Sequence, residues 1–271
     1  MKKKTKLAIF SLAIVFSGGI VFLFLKNTTP ILAEEKNLTN GSTSFILNEV
    51  EGLTTGGEEM KASKSFKDSS GEESFKLPEP KLSGKTSVEE ALSKRRSVRD
   101  YGEDSLSTEE ISQLLWSAQG ITVKWGGRTA PSAGALYPLE IYVVAGEVKG
   151  LKPGLYHYDP GKHIITKKAD GDLREKLTEA SLYQDEITKA PATFVITAVY
   201  ERTMKKYNQR GIQYVHMEVG AAAENIYLQA ETLNLGTVFM GAFEDEKVKK
   251  VLGIKEEPLA IMPVGKKLST D

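Results

Sequence analysis

The run Lys94-Arg95-Arg96-Ser97-Val98-Arg99-Asp100-Tyr101 places three guanidinium groups and a hydroxyl within five positions. Arg presents a rigid fork of donors that matches phosphate oxygens two at a time, so this spacing suits a phosphorylated ligand. It equally suits a solvated basic patch, because Lys and Arg favour helix C-termini for dipole reasons. A second run, Arg128-Thr129-Ala130-Pro131-Ser132-Ala133-Gly134-Ala135-Leu136-Tyr137-Pro138, combines small residues with two prolines. Such a loop is stiff and its backbone can approach a ligand closely. Ser132 adds a donor and an acceptor there, although a plain turn leading into a strand needs the same residues. A third run, Gly236-Thr237-Val238-Phe239-Met240-Gly241-Ala242-Phe243, reads as a strand and a small-residue turn. In a fourth, Lys205-Lys206-Tyr207-Asn208-Gln209-Arg210-Gly211, a Lys beside a Tyr can act as a base with a proton-orienting partner. The alternative is a charged loop before a helix.

The elements around these runs decide where the groups point. Ser87-Val88-Glu89-Glu90 reads as a capping box opening a short helix, with Ala91, Leu92 and Val98 as its apolar positions. The basic run therefore falls at or just past a helix end. Ser107-Thr108-Glu109-Glu110 opens a second helix, carried by Ile111, Leu114, Leu115 and Ala118 and stopped by Gly120. Alternation over 139–145 predicts a buried strand, and residues 153–167 read as a hairpin. Short helices are expected over 172–180 and 244–252, and strands over 193–200, 237–240 and 258–264. Residues 211–233 form the longest predicted helix, apolar on most sides through Ala221, Ala222, Ala223, Ile226, Ala230 and Leu233. That pattern suits a central helix or a dimer seam. Loose alternation with intruding hairpins predicts an α+β sandwich rather than a doubly wound sheet.

Composition excludes several classes of chemistry. The chain of 271 residues has no Cys, which removes disulfides, thiolate metal sites and Cys nucleophiles. Its formal net charge is zero, against a general nucleic-acid binder. His157, His163 and His216 lack metal-ligand spacing, so no metal is expected. At the N-terminus, Lys2, Lys3, Lys4 and Lys6 precede an uncharged stretch of 19 residues, 7–25. This stretch reads as a membrane anchor or a signal peptide over 1–33, with Ile31-Leu32-Ala33 as a cleavage site. The charge bias directs the rest of the chain out of the cytoplasm, membrane-anchored or secreted. Residues 34–76, rich in Glu, Lys, Ser, Gly and Thr, read as a disordered polar linker, which leaves a folded domain over 77–271.

Taken in order, these runs resemble the nitroreductase family of flavin mononucleotide (FMN) enzymes, and within it the SagB-type dehydrogenases that oxidise azolines to azoles in modified peptides. Gly154-Leu155-Tyr156-His157-Tyr158-Asp159-Pro160 and the run from Tyr214 to Asn225 extend the likeness, which covers roughly residues 77–267. The resemblance implies a dimeric sandwich, a central antiparallel sheet flanked by helices. It implies that Arg95, Ser97 and Arg99, with Arg96 less directly, meet the flavin phosphate and ribityl chain. Pro131, Ser132, Ala133 and Gly134 would face the flavin ring from the other subunit. Gly241 and Ala242 would lie along the flavin edge, and Lys267 stands where the family often places a cation near the phosphate. Lys206 and Tyr207 match the pair that azoline oxidases use near the reacting carbon. The function implied is hydride transfer through flavin N5 between a reductant, NAD(P)H as a transient visitor, and a small molecule. The alternatives are a peptide azoline dehydrogenase and a flavin-binding module without turnover.

Overall fold

The computed structural model describes residues 65–68 and 71–268, together with the backbone of two short paired strands, β1 (Val15–Phe16) and β2 (Gly19–Ile20). The chain divides into two units, Met1–Gly56 and Gly57–Asp271. Apart from that strand pair, the anchor or signal expected over 1–33 and the part of the expected 34–76 linker before residue 65 lie outside the described residues. Among the described residues no helix is long and apolar enough to cross a membrane.

The second unit is built on an eight-stranded sheet. Its strands are β3 (Ser65–Lys67), β4 (Glu73–Lys76), β5 (Leu139–Ala145), β6 (Gly154–Asp159), β7 (Ile164–Asp170), β8 (Ala192–Ala198), β9 (Leu235–Thr237) and β10 (Glu257–Lys266). They lie in the order β3-β4-β7-β6-β5-β8-β10-β9, every pairing antiparallel. The central strands are buried on both faces. In β5, Leu139, Ile141, Val143 and Ala145 point to one hydrophobic cluster while Tyr142 and Val144 point to another. This is the period of two that pleating imposes. With apolar residues needed on both sides, β8 reads as a continuous apolar run.

Helices cover both faces. On one lie α2 (Thr108–Gln119) and α6 (Arg210–Thr232); on the other lie α3 (Arg174–Ala180), α4 (Glu186–Lys189) and α7 (Asp245–Leu252). The expected α+β sandwich with a central antiparallel sheet is the observed one. The capping box of α2 is complete: the Ser107 hydroxyl accepts from Glu110 N–H, and the Glu110 carboxylate accepts from Ser107 N–H. Ile111, Leu114, Leu115 and Ala118 are buried and Gly120 ends the helix. Helix α1 (Val88–Lys94) starts at the Ser87 cap and buries Ala91, but leaves Leu92 exposed.

Three expectations are corrected. The linker does not run to residue 76, because β3 and β4 extend the sheet beyond β7. Phe75 is 8% exposed and packs edge-on against Tyr156, with ring centroids 5.8 Å apart, and the Ser74 hydroxyl meets that of Thr166 at 2.8 Å. One buried aromatic and one buried serine in a polar stretch suffice to seat β4 between β3 and β7. The segment before the longest helix is itself helical, α5 (Tyr200–Tyr207). The strand expected over 237–240 is shifted to β9, after which the chain leaves the ladder and returns at Met240, paired with Ile261.

Candidate functional site

The basic run leaves α1 and lies beside β9. Arg95 caps the helix, and Ser97 and Val98 pair with Thr237, Val98 N–H donating to the Thr237 carbonyl at 2.9 Å. Gly236 makes this approach possible, since a Cβ there would lie 2.5 Å from the Val98 side chain. One residue gathers the pieces. The Tyr227 hydroxyl on α6 is 3.1 Å from Ser97 Oγ and accepts the Phe239 N–H at 2.7 Å, and the Arg95 guanidinium lies over its ring at 5.0 Å. Residues from the first and third runs therefore meet at one helix position.

The cations here differ in what holds them. Arg99 Nε is 3.6 Å from Glu186, Lys267 is paired with Glu231 at 2.6 Å, and Lys94 with Glu90. Arg96 turns back onto the Ser93 and Arg95 carbonyls. Among the described residues Arg95 and Arg96 make no ion pair with a carboxylate. Two guanidinium charges without such partners, next to a serine hydroxyl, have the chemistry to bind an anion. Gly241 and Ala242 follow in an exposed turn, held by Gln184, whose side-chain amide donates to the Ala242 carbonyl at 2.7 Å.

Pro131, Ser132, Ala133 and Gly134 belong to a second group. The backbone there is strained: Gly134, Ala135 and Tyr137 have φ of 66°, 54° and 45°. Left-handed residues other than Gly cost on the order of 1–2 kcal/mol each, so surrounding contacts must hold them. Ser132 Oγ accepts the Tyr137 N–H at 2.9 Å, the Arg128 guanidinium stacks 4.4 Å over the Tyr137 ring, and Arg202 donates to the Tyr137 carbonyl at 3.1 Å. Glu140 in turn binds both Arg202 and His157. Burial acts to raise the Glu140 pKa, but hydrogen bonds from His157 and Arg202 outweigh it and hold the carboxylate below its usual range.

Lys206 and Tyr207 stand in the last turn of α5, directly over this loop. A Cβ on Gly134 would lie 2.7 Å from the Tyr207 hydroxyl and 2.9 Å from Lys206 Nζ. The ammonium sits 5.3 Å from the Tyr207 ring centroid, and Tyr207 packs edge-on against Tyr214. An ammonium and a phenol converging on one loop can share and orient a proton. Beneath the loop, Glu218 on α6 is buried, and burial pushes its carboxyl group up to about 7 against the opposing effects of Ser132, Arg128 and Gln119.

Helix α6 separates the two groups. Tyr227 anchors one and Glu218 the other, nine positions apart. Nine residues of α-helix place them on opposite faces and about 14 Å apart along the axis. Tyr227, Glu218 and Glu140 are not picked out by the sequence reading, and Arg128 stands at the head of the second run with no role of its own there. Tyr227 looks like one more apolar position of α6, whereas Glu218 carries a signal, an acid between Met217 and Val219 in the apolar stretch. The three histidines have protein partners: Glu140 for His157, Tyr158 and Ser112 for His163, and Tyr200 for His216.

The sequence profile of the Nitroreductase family matches residues 92–266. A Methanocaldococcus jannaschii protein provisionally named nitroreductase MJ1384 is 48% identical over 181 residues, 67% of this chain and 91% of its own. The Escherichia coli microcin B17-processing protein McbC is 25% identical over 138 residues, 49% of this chain, which spans about half (51%) of McbC. The crystal structure of a Ralstonia eutropha JMP134 protein provisionally described as a nitroreductase superposes with a TM-score of 0.64 at 30% identity, over 72% of this chain and 90% of that one. With a profile match over most of its length and a relative sharing nearly half of the aligned residues, this chain belongs to the nitroreductase family.

Proposed function

We propose that the chain is an FMN-dependent oxidoreductase acting as a homodimer, with each flavin held between the basic run of one copy and the Pro131–Gly134 loop of the other. The observation that carries this reading is the convergence on Tyr227. Arg95, Ser97 and the segment leading to Gly241 and Ala242 are tied to one residue, and Arg95 and Arg96 have no carboxylate partner among the described residues. Such a cluster fits a dianionic phosphate with its sugar chain, and the exposed turn after β9 fits the edge of a flat ring. When bound, flavin supplies hydride transfer at N5, with NAD(P)H as the transient reductant of a small-molecule acceptor.

The chain's own residues do the rest. Arg95, Arg96 and Ser97 bind, while Arg99 and Lys267 stand paired with Glu186 and Glu231 and would meet the phosphate by exchanging those carboxylates for it. The strained loop presents close-lying backbone to the ring. The shared-site reading is supported by α6, which puts the two groups on opposite faces within one chain. Its exposed positions Gln213, Met217 and Gly220 follow helical spacing, and Met217 is 62% exposed. Gly220 has open space where a Cβ would sit, so a second helix can approach closely there.

A second reading, a peptide azoline dehydrogenase, is favoured by Lys206 and Tyr207 lying over Gly134, and by the likeness to a protein named for processing microcin B17. There the pair would take and orient the substrate proton. The test is the visible spectrum of the purified chain after incubation with FMN, followed by anaerobic NAD(P)H. A bound flavin spectrum that bleaches is the expected result. Bound flavin that does not bleach favours the azoline reading, and protein that stays colourless overturns both.

A further inference from the structure

Glu218 is 3% exposed on a helix that packs against the Pro131–Gly134 loop. Packing of α6 against the loop brings the Ser132 hydroxyl close enough to act on its carboxyl group. Its Oε1 atom, like the Nε atom of nearby Arg128, has no hydrogen-bond partner among the described residues. A buried carboxyl oxygen left without a partner is unfavourable, and an apolar residue would fill this position of α6 without that penalty.

The proton inventory of Ser132 gives the acid a role. A serine hydroxyl has one hydrogen and two lone pairs. One lone pair already accepts the Tyr137 N–H that ties the strained loop. An ionised Glu218 has no hydrogen to give and draws the hydroxyl hydrogen to itself. A protonated Glu218 donates to the second lone pair instead, which releases the hydroxyl hydrogen toward the open side of the loop.

We infer that Glu218 is a positioning residue for the flavin-facing loop, and that Ser132 becomes a hydrogen-bond donor to bound flavin only while Glu218 carries a proton. This rests on the flavin reading given above. The charged group acting on Glu218 is Arg128, from the loop after α2; Gln119 and Ser132 are neutral. Glu140 on β5 and Arg202 on α5 act on Arg128 in turn. Burial outweighs these influences and places the titration near 7.

The test is the FMN dissociation constant of the full chain, measured by flavin fluorescence quenching from about pH 5.5 to about pH 8.5. The flavin phosphate itself gains charge and affinity as pH rises, so the comparison is with Glu218→Gln, whose amide can donate to Ser132 at every pH. One hydrogen bond gained or lost corresponds to a change of about two- to tenfold. The dissociation constant of the natural chain relative to Glu218→Gln is expected to rise by that factor across neutrality. A ratio that does not change with pH overturns the inference and leaves the flavin reading intact. If Glu218→Gln does not fold, Ser132→Ala serves as the reference, with the same rise expected and the same flat ratio contradicting it. FMN that fails to bind at any pH overturns the flavin reading, and this inference with it.

Discussion

Arg95 and Ser97 reach the same tyrosine by different routes, one through its ring and one through its hydroxyl. Replacing either by Ala should remove a charge-assisted contact to the phosphate, weakening FMN binding about 10–150-fold, or 1.5–3 kcal/mol, in an equilibrium titration. Tyr227→Phe keeps the ring and removes only the hydroxyl that joins Ser97 to Phe239. It should lower FMN affinity by less than Arg95→Ala does, and an unchanged affinity would show that the junction is not needed. Lys206→Ala should leave FMN affinity within error. If Lys206 moves a proton, turnover of an azoline substrate falls about 10²–10⁴-fold; with simple quinone reduction as the activity, the variant is near silent. Sequence made Arg95, Ser97, Gly134 and Lys206 legible because unusual residue types cluster there. Tyr227 was hidden because its ring fits an apolar helix stripe and its hydroxyl matters only through residues far along the chain.

Among the elements, α6 carries the most consequence, since its buried acid makes the fold sensitive to pH. The folded-state pKa of Glu218 lies above the usual carboxylate value, so the native state retains a proton that the unfolded chain has lost. Stability is full below the unfolded pKa near 4.5 and falls as pH rises toward about 7, levelling off above it, by at most about 3 kcal/mol. Thermal unfolding of Glu218→Gln and the natural chain should therefore differ more at pH 8 than at pH 4.5; a difference independent of pH would contradict the assignment. At the far edge of the sheet, Phe75→Ala should cost about 3 kcal/mol by emptying the contact with Tyr156. No change in a denaturant titration would show that β4 adds nothing to the fold. Most elements were readable because caps and periodicity agreed, as at Ser107 with Ile111, Leu114 and Leu115. Strand β4 was not, because it buries only Ser74 and Phe75 and its sequence looks like linker. The helix α5 was obscured by its charge: Thr203 is its one buried residue, so no apolar stripe marked it.

For the molecule as a whole, the long helix that organises the core also divides the site. Half of the constellation lies around Tyr227 and half around Ser132 and Glu218, with α6 between them. The fold was legible as a layered α+β sandwich, whereas this division was not, because it depends on which face of one helix each loop reaches. If two copies complete one flavin site, subunit complementation restores it. Arg95→Ala/Ser97→Ala removes the phosphate half and Gly134→Val fills the loop half, and each variant must be folded by circular dichroism and weak in FMN binding alone. After the two are mixed and allowed to exchange subunits, roughly a quarter of the natural FMN occupancy should return, because half the dimers are mixed and each has one intact site. Occupancy no higher than that of either variant alone would contradict it.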